Sequence, residues 1–173
     1  MTRVGELTLV EFNALSDTDA QTQAEHFCGC VSWARDVVAA RPFNSVAQLS
    51  RFAADRWQQA SEAERLEAFA AHPLIGDVEL LRQKYADTAR GEQGQVLTAS
   101  EATLEALASL NRAYQELHGF IFIICASGKS ADEMLTALQG RIDNTRADEV
   151  ANASREQAAI TALRIQQTFG DQA

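Results

Sequence analysis

A chain of 173 residues, 46% hydrophobic and 23% charged, fits one domain with most of its apolar surface around a single core. Its net charge of −9 argues against a nucleic-acid or anionic-membrane partner, while leaving room for a small anionic ligand in a pocket with its own local field. No apolar run is long enough to span a bilayer, and the polar N-terminus lacks a signal-peptide core.

Leu7, Val10, Ala14 and Leu15 recur at helical spacing and predict a short first helix. Ser16 or Asp17 caps a second, which runs towards Cys28. Phe27, Val31, Trp33, Ala34, Val37 and Val38 carry the stripe onward, with a bend expected near Gly29. Arg41-Pro42-Phe43 ends this run, because proline pushes the residue before it out of the α region. Asn44 or Ser45 opens the next helix, with Val46, Leu49, Phe52, Ala53 and Trp57 on one face. Ser61 and Glu64 have the spacing of a capping box, and Leu66, Phe69 and Ala70 lead that helix into Ala71-His72-Pro73-Leu74-Ile75-Gly76-Asp77.

That stretch is a forced break. Pro73 holds His72 on an extended or turn backbone beyond a helix end, Gly76 permits a tight turn, and Asp77 can cap the next helix. Val78, Leu81 and Tyr85 form a stripe that fades into a polar, glycine-flanked loop over residues 87–94. Thr98-Ala99-Ser100-Glu101 reads as a second capping box, before a helix with Leu104, Leu107, Leu110, Ala113, Tyr114 and Leu117 on its inner face. The segment Gly119-Phe120-Ile121-Phe122-Ile123-Ile124-Cys125-Ala126 is β-branched and aromatic. No second strand exists to pair with it, so a buried turn or an extended core segment is expected. Ser130 and Glu133 form a third capping box before Met134, Leu135, Leu138 and Ile142, and a last helix carries Val150, Ile160, Leu163, Ile165 and Phe169. The pattern is all-α: a single domain, an irregular bundle of eight or nine helices with no sustained heptad.

Cys28, Cys30 and Cys125 cannot close a set of disulfides, and Cys28 and Cys30 are one residue too close for a C-x-x-C motif. They read as reduced, partly buried thiols in a cytosolic, hence cytoplasmic, protein. His26, His72 and His118 lie far apart and none has a ligand partner at metal-binding spacing, so no metal is expected. Phosphate-loop, dinucleotide and nucleophile-elbow motifs are absent. His26, mid-helix, and His118, at a helix end, read as structural. His72 is either a corner-capping residue or a side chain facing a cleft, where Glu92 in the glycine-flanked loop can hold its tautomer or charge. Arg164 interrupts the apolar run Ala162, Leu163 and Ile165, so it needs an anionic partner: a buried acid or a substrate.

These residues together resemble the 2-oxo-4-hydroxy-4-carboxy-5-ureidoimidazoline (OHCU) decarboxylases of the uric acid pathway. The likeness runs nearly end to end. It rests on Arg41-Pro42-Phe43, Ala71-His72-Pro73, Glu92-Gln93, Leu110-Asn111-Arg112-Ala113-Tyr114, the segment from Gly119 to Ala126, Arg141 with Asn144, and Leu163-Arg164-Ile165. The resemblance implies an all-α, cofactor-free, homodimeric enzyme of the bacterial cytoplasm that converts OHCU to (S)-allantoin and CO2. His72 matches the catalytic histidine of the family, Glu92 its catalytic glutamate and Arg164 its substrate-binding arginine. Pro73, Ala89, Arg90, Gly91 and Gln93 match substrate-contacting positions, as do Phe122, Ile123, Ile124, Cys125 and Ala126. Three departures stand out. Ala89 replaces a serine, Ile121 replaces the proline of Gly-Phe-Pro-Phe, and Leu-Ile-Gly-Asp follows His72-Pro73 in place of Asp-Leu-Ala-Gly.

Overall fold

A computed structural model describes residues 7–74, 78–79, 81–83 and 100–170. The secondary structure is all-α, and no strand occurs among the described residues. Backbone contacts divide the chain into two compact units: Met1–Ala71 with Ser154–Ala173, and His72–Ala153.

The first unit begins with α1 (Leu9–Ala14) and α2 (Asp17–Phe27), whose N-caps Thr8 and Ser16 accept from the amides of Glu11 and Asp19. Each such cap contributes about 1 kcal/mol. There follow α3 (Val31–Ala39), α4 (Val46–Gln58), capped by Ser45, and α5 (Glu62–Ala70), opened by the expected Ser61–Glu64 capping box. Phe12, Phe27 and Phe169 meet as three fully buried rings with centroids 5.8–6.4 Å apart. The two indoles are satisfied by carbonyls: Trp33 Nε1 donates to Ala53 and Trp57 Nε1 to Ser154. Arg41 does more than end a helix. Its guanidinium donates to the carbonyls of Phe12, Leu15 and Val38 and pairs with Asp17.

The expected bend near Gly29 is a full break, with α2 ending at Phe27 and α3 starting at Val31. A Cβ at Gly29 would lie 2.4 Å from that of Ala71, so only glycine lets the end of α5 approach this close. The N-terminus of α3 has no side-chain cap of its own; Glu67 of α5 accepts from the Val31 amide at 2.8 Å instead. Arg56 ties the same elements together, bridging Asp36 and Glu64 at 2.6 and 2.5 Å. The break also moves His26 from mid-helix to the last turn of α2.

In the second unit, residues 78–79 and 81–83 are helical. Helix α6 (Glu101–His118) is capped by Ser100, two residues beyond the Thr98 start suggested by the sequence, and closes on Gly119 in the left-handed region. Its buried face consists of Leu104, Leu107, Ala108, Asn111, Tyr114 and His118; Leu117 is 62% exposed. Asn111 can take an inner position because its amide donates to the Leu107 carbonyl one turn back. The inward placement of Tyr114 and His118, four residues apart, turns Leu117 outward. Residues 121–126 then run without regular secondary structure, buried over the first three. Helix α7 (Ala131–Arg141) carries the expected Ser130–Glu133 capping box, and α8 (Arg146–Phe169) begins in this unit and ends in the first. No described helix is long and apolar enough to cross a membrane.

Candidate functional site

His72 and Pro73 follow directly on the end of α5, where Ala71 keeps a helical conformation as C-cap. His72 is half-buried at a bend, while Pro73 and Leu74 are exposed. The proline therefore does what its chemistry requires: it terminates the helix and holds the histidine on the turn. Gly76, Asp77, Ala89, Arg90, Gly91, Glu92 and Gln93 lie outside the described residues.

The segment expected to contact substrate divides in two by burial. Phe120, Ile121, Phe122 and Ile123 are buried, whereas Ile124, Cys125 and Ala126 are half-buried. Ile121 is one of the buried anchors. Tyr114 meets the rings of Phe120 and Phe122 edge-on, with centroids 5.9 and 5.4 Å away. Among the described residues, no acceptor meets the amide N–H of residues 122–126. Backbone donors at this depth normally have partners, so the segment has N–H groups left for a ligand or for water. The far end is fastened by Lys129, whose Nζ donates to the Cys125 carbonyl and whose amide donates to Ala126.

Arg164 lies half-buried on α8, within the first unit. Its Nη1 donates to the carbonyls of His26 and Phe27 at 3.3 and 3.4 Å, the last two residues of α2. Among the described residues it has no carboxylate partner. The sequence offers a buried acid or a ligand; the structure supplies a helix C-terminus, where exposed carbonyls and the helix dipole attract a cation. This contact anchors the guanidinium and leaves further donors on it.

The remaining histidines and cysteines are structural in geometry. His118 is buried against Tyr114, with Nε2 2.9 Å from the Ile142 carbonyl. Burial pushes the Cys28 thiol up to about 12, reinforced by Cys30 and only partly offset by Thr161 and Arg164. Burial raises Cys30 as well. Neither is a thiolate nucleophile near neutral pH. Among the described residues, no group of three His, Cys, Asp or Glu side chains is arranged to hold a metal ion.

The most elaborate polar cluster is not legible in the periodic pattern. Glu149, on the first turn of α8, is fully buried. It accepts from Tyr114 Oη at 2.5 Å, Arg141 Nε at 2.9 Å, Asn144 Nδ2 at 3.0 Å and Asn152 Nδ2 at 2.6 Å. Burial alone would raise its pKa; the donors Asn144, Tyr114 and Asn152 and the Arg141 charge outweigh it and hold the carboxyl below its ordinary range. Burial and the Glu149 carboxylate push the Tyr114 phenol well up. The available signal is the spacing of Arg141, Asn144 and Glu149 across a helix junction, which matches no periodic template.

Known proteins resemble this chain over most of its length. A family model described as OHCU decarboxylase matches residues 13–166. The uric acid degradation bifunctional protein TTL of Arabidopsis thaliana is 37% identical over 150 residues, 84% of this chain and 46% of that protein, so this chain spans less than half of its length. The 2-oxo-4-hydroxy-4-carboxy-5-ureidoimidazoline decarboxylase of Halalkalicoccus jeotgali is 31% identical over 129 residues, covering 73% of this chain and 71% of that protein. A crystal structure of OHCU decarboxylase in the presence of (S)-allantoin superposes with a TM-score of 0.73 at 34% identity, over 91% of this chain and 100% of that one.

Proposed function

This chain belongs to the OHCU decarboxylase family, and from that premise we propose that it decarboxylates OHCU to (S)-allantoin and CO2. The observation that carries the reading is the likeness to a decarboxylase solved with (S)-allantoin, which covers the whole of that chain. The amides of residues 122–126, which meet no acceptor among the described residues, add a chemical reason, because the substrate is rich in carbonyl oxygens.

The reaction needs no cofactor to accept electrons. When the bond to the carboxylate carbon breaks, its electron pair flows into the adjacent ring imine and leaves an enol. The ureido-bearing carbon and the imine nitrogen each take a proton while the enol hydroxyl gives one up, so one net proton replaces the lost CO2. Stereochemistry is fixed by which face of that carbon receives its proton. In this reading a protonated His72 orients the departing group and supplies the proton, and Glu92 stabilises the imidazolium or holds the ureido group. Arg164 binds an anionic or carbonyl edge of the substrate with the donors not engaged by α2. Pro73, Ala89, Arg90, Gly91 and Gln93 complete the binding surface, and the N–H groups of residues 122–126 hold ring or ureido oxygens. The chain is one OHCU decarboxylase-like domain, which acts as a cytoplasmic homodimer.

Freshly generated OHCU mixed with the protein should give (S)-allantoin, followed by optical rotation, faster than the racemic product forms by itself. Equal rates overturn the reading. His72→Asn keeps the turn but removes the titratable ring, and should lower turnover by about 10²-fold or more with an unchanged melting temperature. Near wild-type turnover would return His72 to the role of a corner residue.

A further inference from the structure

The clearest unexplained feature in the second unit is the way Arg141 spends its donors. An arginine placed only to neutralise a buried acid favours the two-pronged fork, with two nitrogens on two carboxylate oxygens. Arg141 does not do this. Only Nε reaches Glu149, at 2.9 Å, while Nη1 turns away to the Ile123 carbonyl at 2.7 Å. The other Glu149 oxygen is taken by Asn144 and Asn152. The guanidinium also lies 4.5 Å over the Phe122 ring, and its Nη2 is buried with no hydrogen-bond partner among the described residues. Leaving a buried donor unpaired is costly, so the fork geometry has been given up for the contact with the segment.

That contact has a geometric consequence. The peptide joining Ile123 and Ile124 is trans and planar, so its carbonyl and its N–H point in opposite directions. Drawing the Ile123 carbonyl onto Arg141 turns the Ile124 N–H to the other side, away from the buried cluster, where among the described residues it meets no acceptor. A second clamp supports the same segment upstream: Arg146 donates to the His118 carbonyl and lies 5.8 Å from the Phe120 ring.

We propose that Arg141, held by Glu149, is a positioning residue that aims the Ile124 backbone amide at the substrate. The proposal rests on the decarboxylase reading of the chain. Arg141 touches no reacting atom; it acts through one peptide plane. Losing its grip should let that plane rotate, weakening substrate binding and loosening the face presented to the incoming proton.

Arg141→Lys keeps a cation beside Glu149 but cannot reach Glu149 and the Ile123 carbonyl together with fixed planar geometry. A second variant, Arg141→Met with Glu149→Gln, removes both charges and so strands neither if the lysine variant folds poorly. The expected result in either is a KM raised at least tenfold, a smaller fall in kcat and a lower enantiomeric excess of (S)-allantoin at saturating enzyme. A merely structural role would lower the melting temperature and the active fraction while leaving KM and enantiomeric excess at wild-type values; that result overturns the proposal. Isoleucine-selective 15N labelling separates this failure from that of the functional reading. Adding (S)-allantoin should move the Ile124 amide resonance in the wild type and not in Arg141→Lys. An Ile124 resonance that moves equally in both sinks the positioning role. A wild type inactive on OHCU whose Ile124 resonance still responds, with the response lost in Arg141→Lys, sinks the proposed reaction and keeps the positioning.

Discussion

Two half-buried arginines, one in each unit, are held in opposite ways. Arg141 meets a fully buried carboxylate and a backbone carbonyl, and its one remaining nitrogen is enclosed. Arg164 meets only the carbonyl end of α2, through a single nitrogen and at long distances. The first is part of a closed cluster, in which each partner makes the other's burial tolerable. The second is anchored without being neutralised. Burial alone therefore does not separate a structural arginine from a ligand-binding one; what separates them is whether the guanidinium already has an anion and how many donors remain.

The sharpest way to break this comparison is to remove Glu149. Glu149→Ala leaves the Arg141 charge buried beside an aromatic ring, along with the donors of Tyr114, Asn144 and Asn152. The loss should be about 3–5 kcal/mol, as for other buried pairs broken from one side. Denaturant unfolding measures it directly. A loss under about 1 kcal/mol would mean that water replaces the carboxylate and that the cluster is not closed.

Arg164 should behave in the reverse manner. Arg164→Gln forfeits a weak contact with the α2 carbonyls, worth about 0.3–1 kcal/mol for a cation at a helix C-terminus. On the proposed function it also removes the substrate's cationic partner, so KM should rise by about 10- to 100-fold, a loss of roughly 1.4–2.8 kcal/mol in binding. Arg164→Lys should already be impaired, because an ammonium cannot reproduce a planar fork. A large fall in melting temperature with unchanged KM would place Arg164 beside Arg141 in the structural class.

These two arginines also mark how far the sequence can be read. Caps are legible because they obey local rules: Ser61 and Ser130 start helices where their spacing to Glu64 and Glu133 requires it, and Ser16 and Ser45 are the caps within the pairs Ser16 or Asp17 and Asn44 or Ser45. Helix type and the Pro73 break are legible for the same reason. Gly29 reads as a bend and is a full break, because the cause is tertiary: the approach of Ala71, which no local window contains. Arg164 stands out as unusual, yet its α2 partners lie some 137 positions away in sequence. The Glu149 cluster stays invisible: a buried glutamate on an amphipathic helix looks like any surface glutamate until its donors are seen to converge from α6, the α7–α8 junction and α8 itself. Arg141 and Asn144 are singled out only through resemblance. The roles of Glu92 and its sequence neighbours rest on that resemblance still.

Acid gives a milder test of the same contrast. Because its carboxyl is held below the ordinary value of 4.5, Glu149 contributes stability that is fully present above about pH 4.5 and is lost as the pH falls through the lower, folded value. In that window the unfolded chain binds the proton more readily than the folded one. Stability should thus fall with decreasing pH below 4.5, and Glu149→Gln should show a shallower fall. Arg164→Gln should leave the slope unchanged, since no carboxylate among the described residues is paired with it. Equal slopes in Glu149→Gln and the wild type would show that other acids control the acid limb.

The smallest expected effect concerns Leu117. By spacing it belongs with Leu110 and Tyr114 on the inner face of α6, but it is 62% exposed because Tyr114 and His118 set the inward direction. An exposed leucine away from caps and ion pairs makes little difference to folding, so Leu117→Ser should change stability by no more than about 0.5 kcal/mol. A buried inner-face leucine such as Leu107, cut back to alanine, should lose about 2–5 kcal/mol in the same assay. The pair of measurements tests the helix orientation that brings Tyr114 to Glu149. It bears on assembly as well. If Leu117→Ser lowers the melting temperature in a concentration-dependent way, the leucine is covered in solution by a second copy of the chain, and sedimentation should show dimers dissociating. A concentration-independent loss comparable to that of Leu107→Ala would mean instead that α6 is rotated, and the Tyr114–Glu149–Arg141 cluster would have to be redrawn with it.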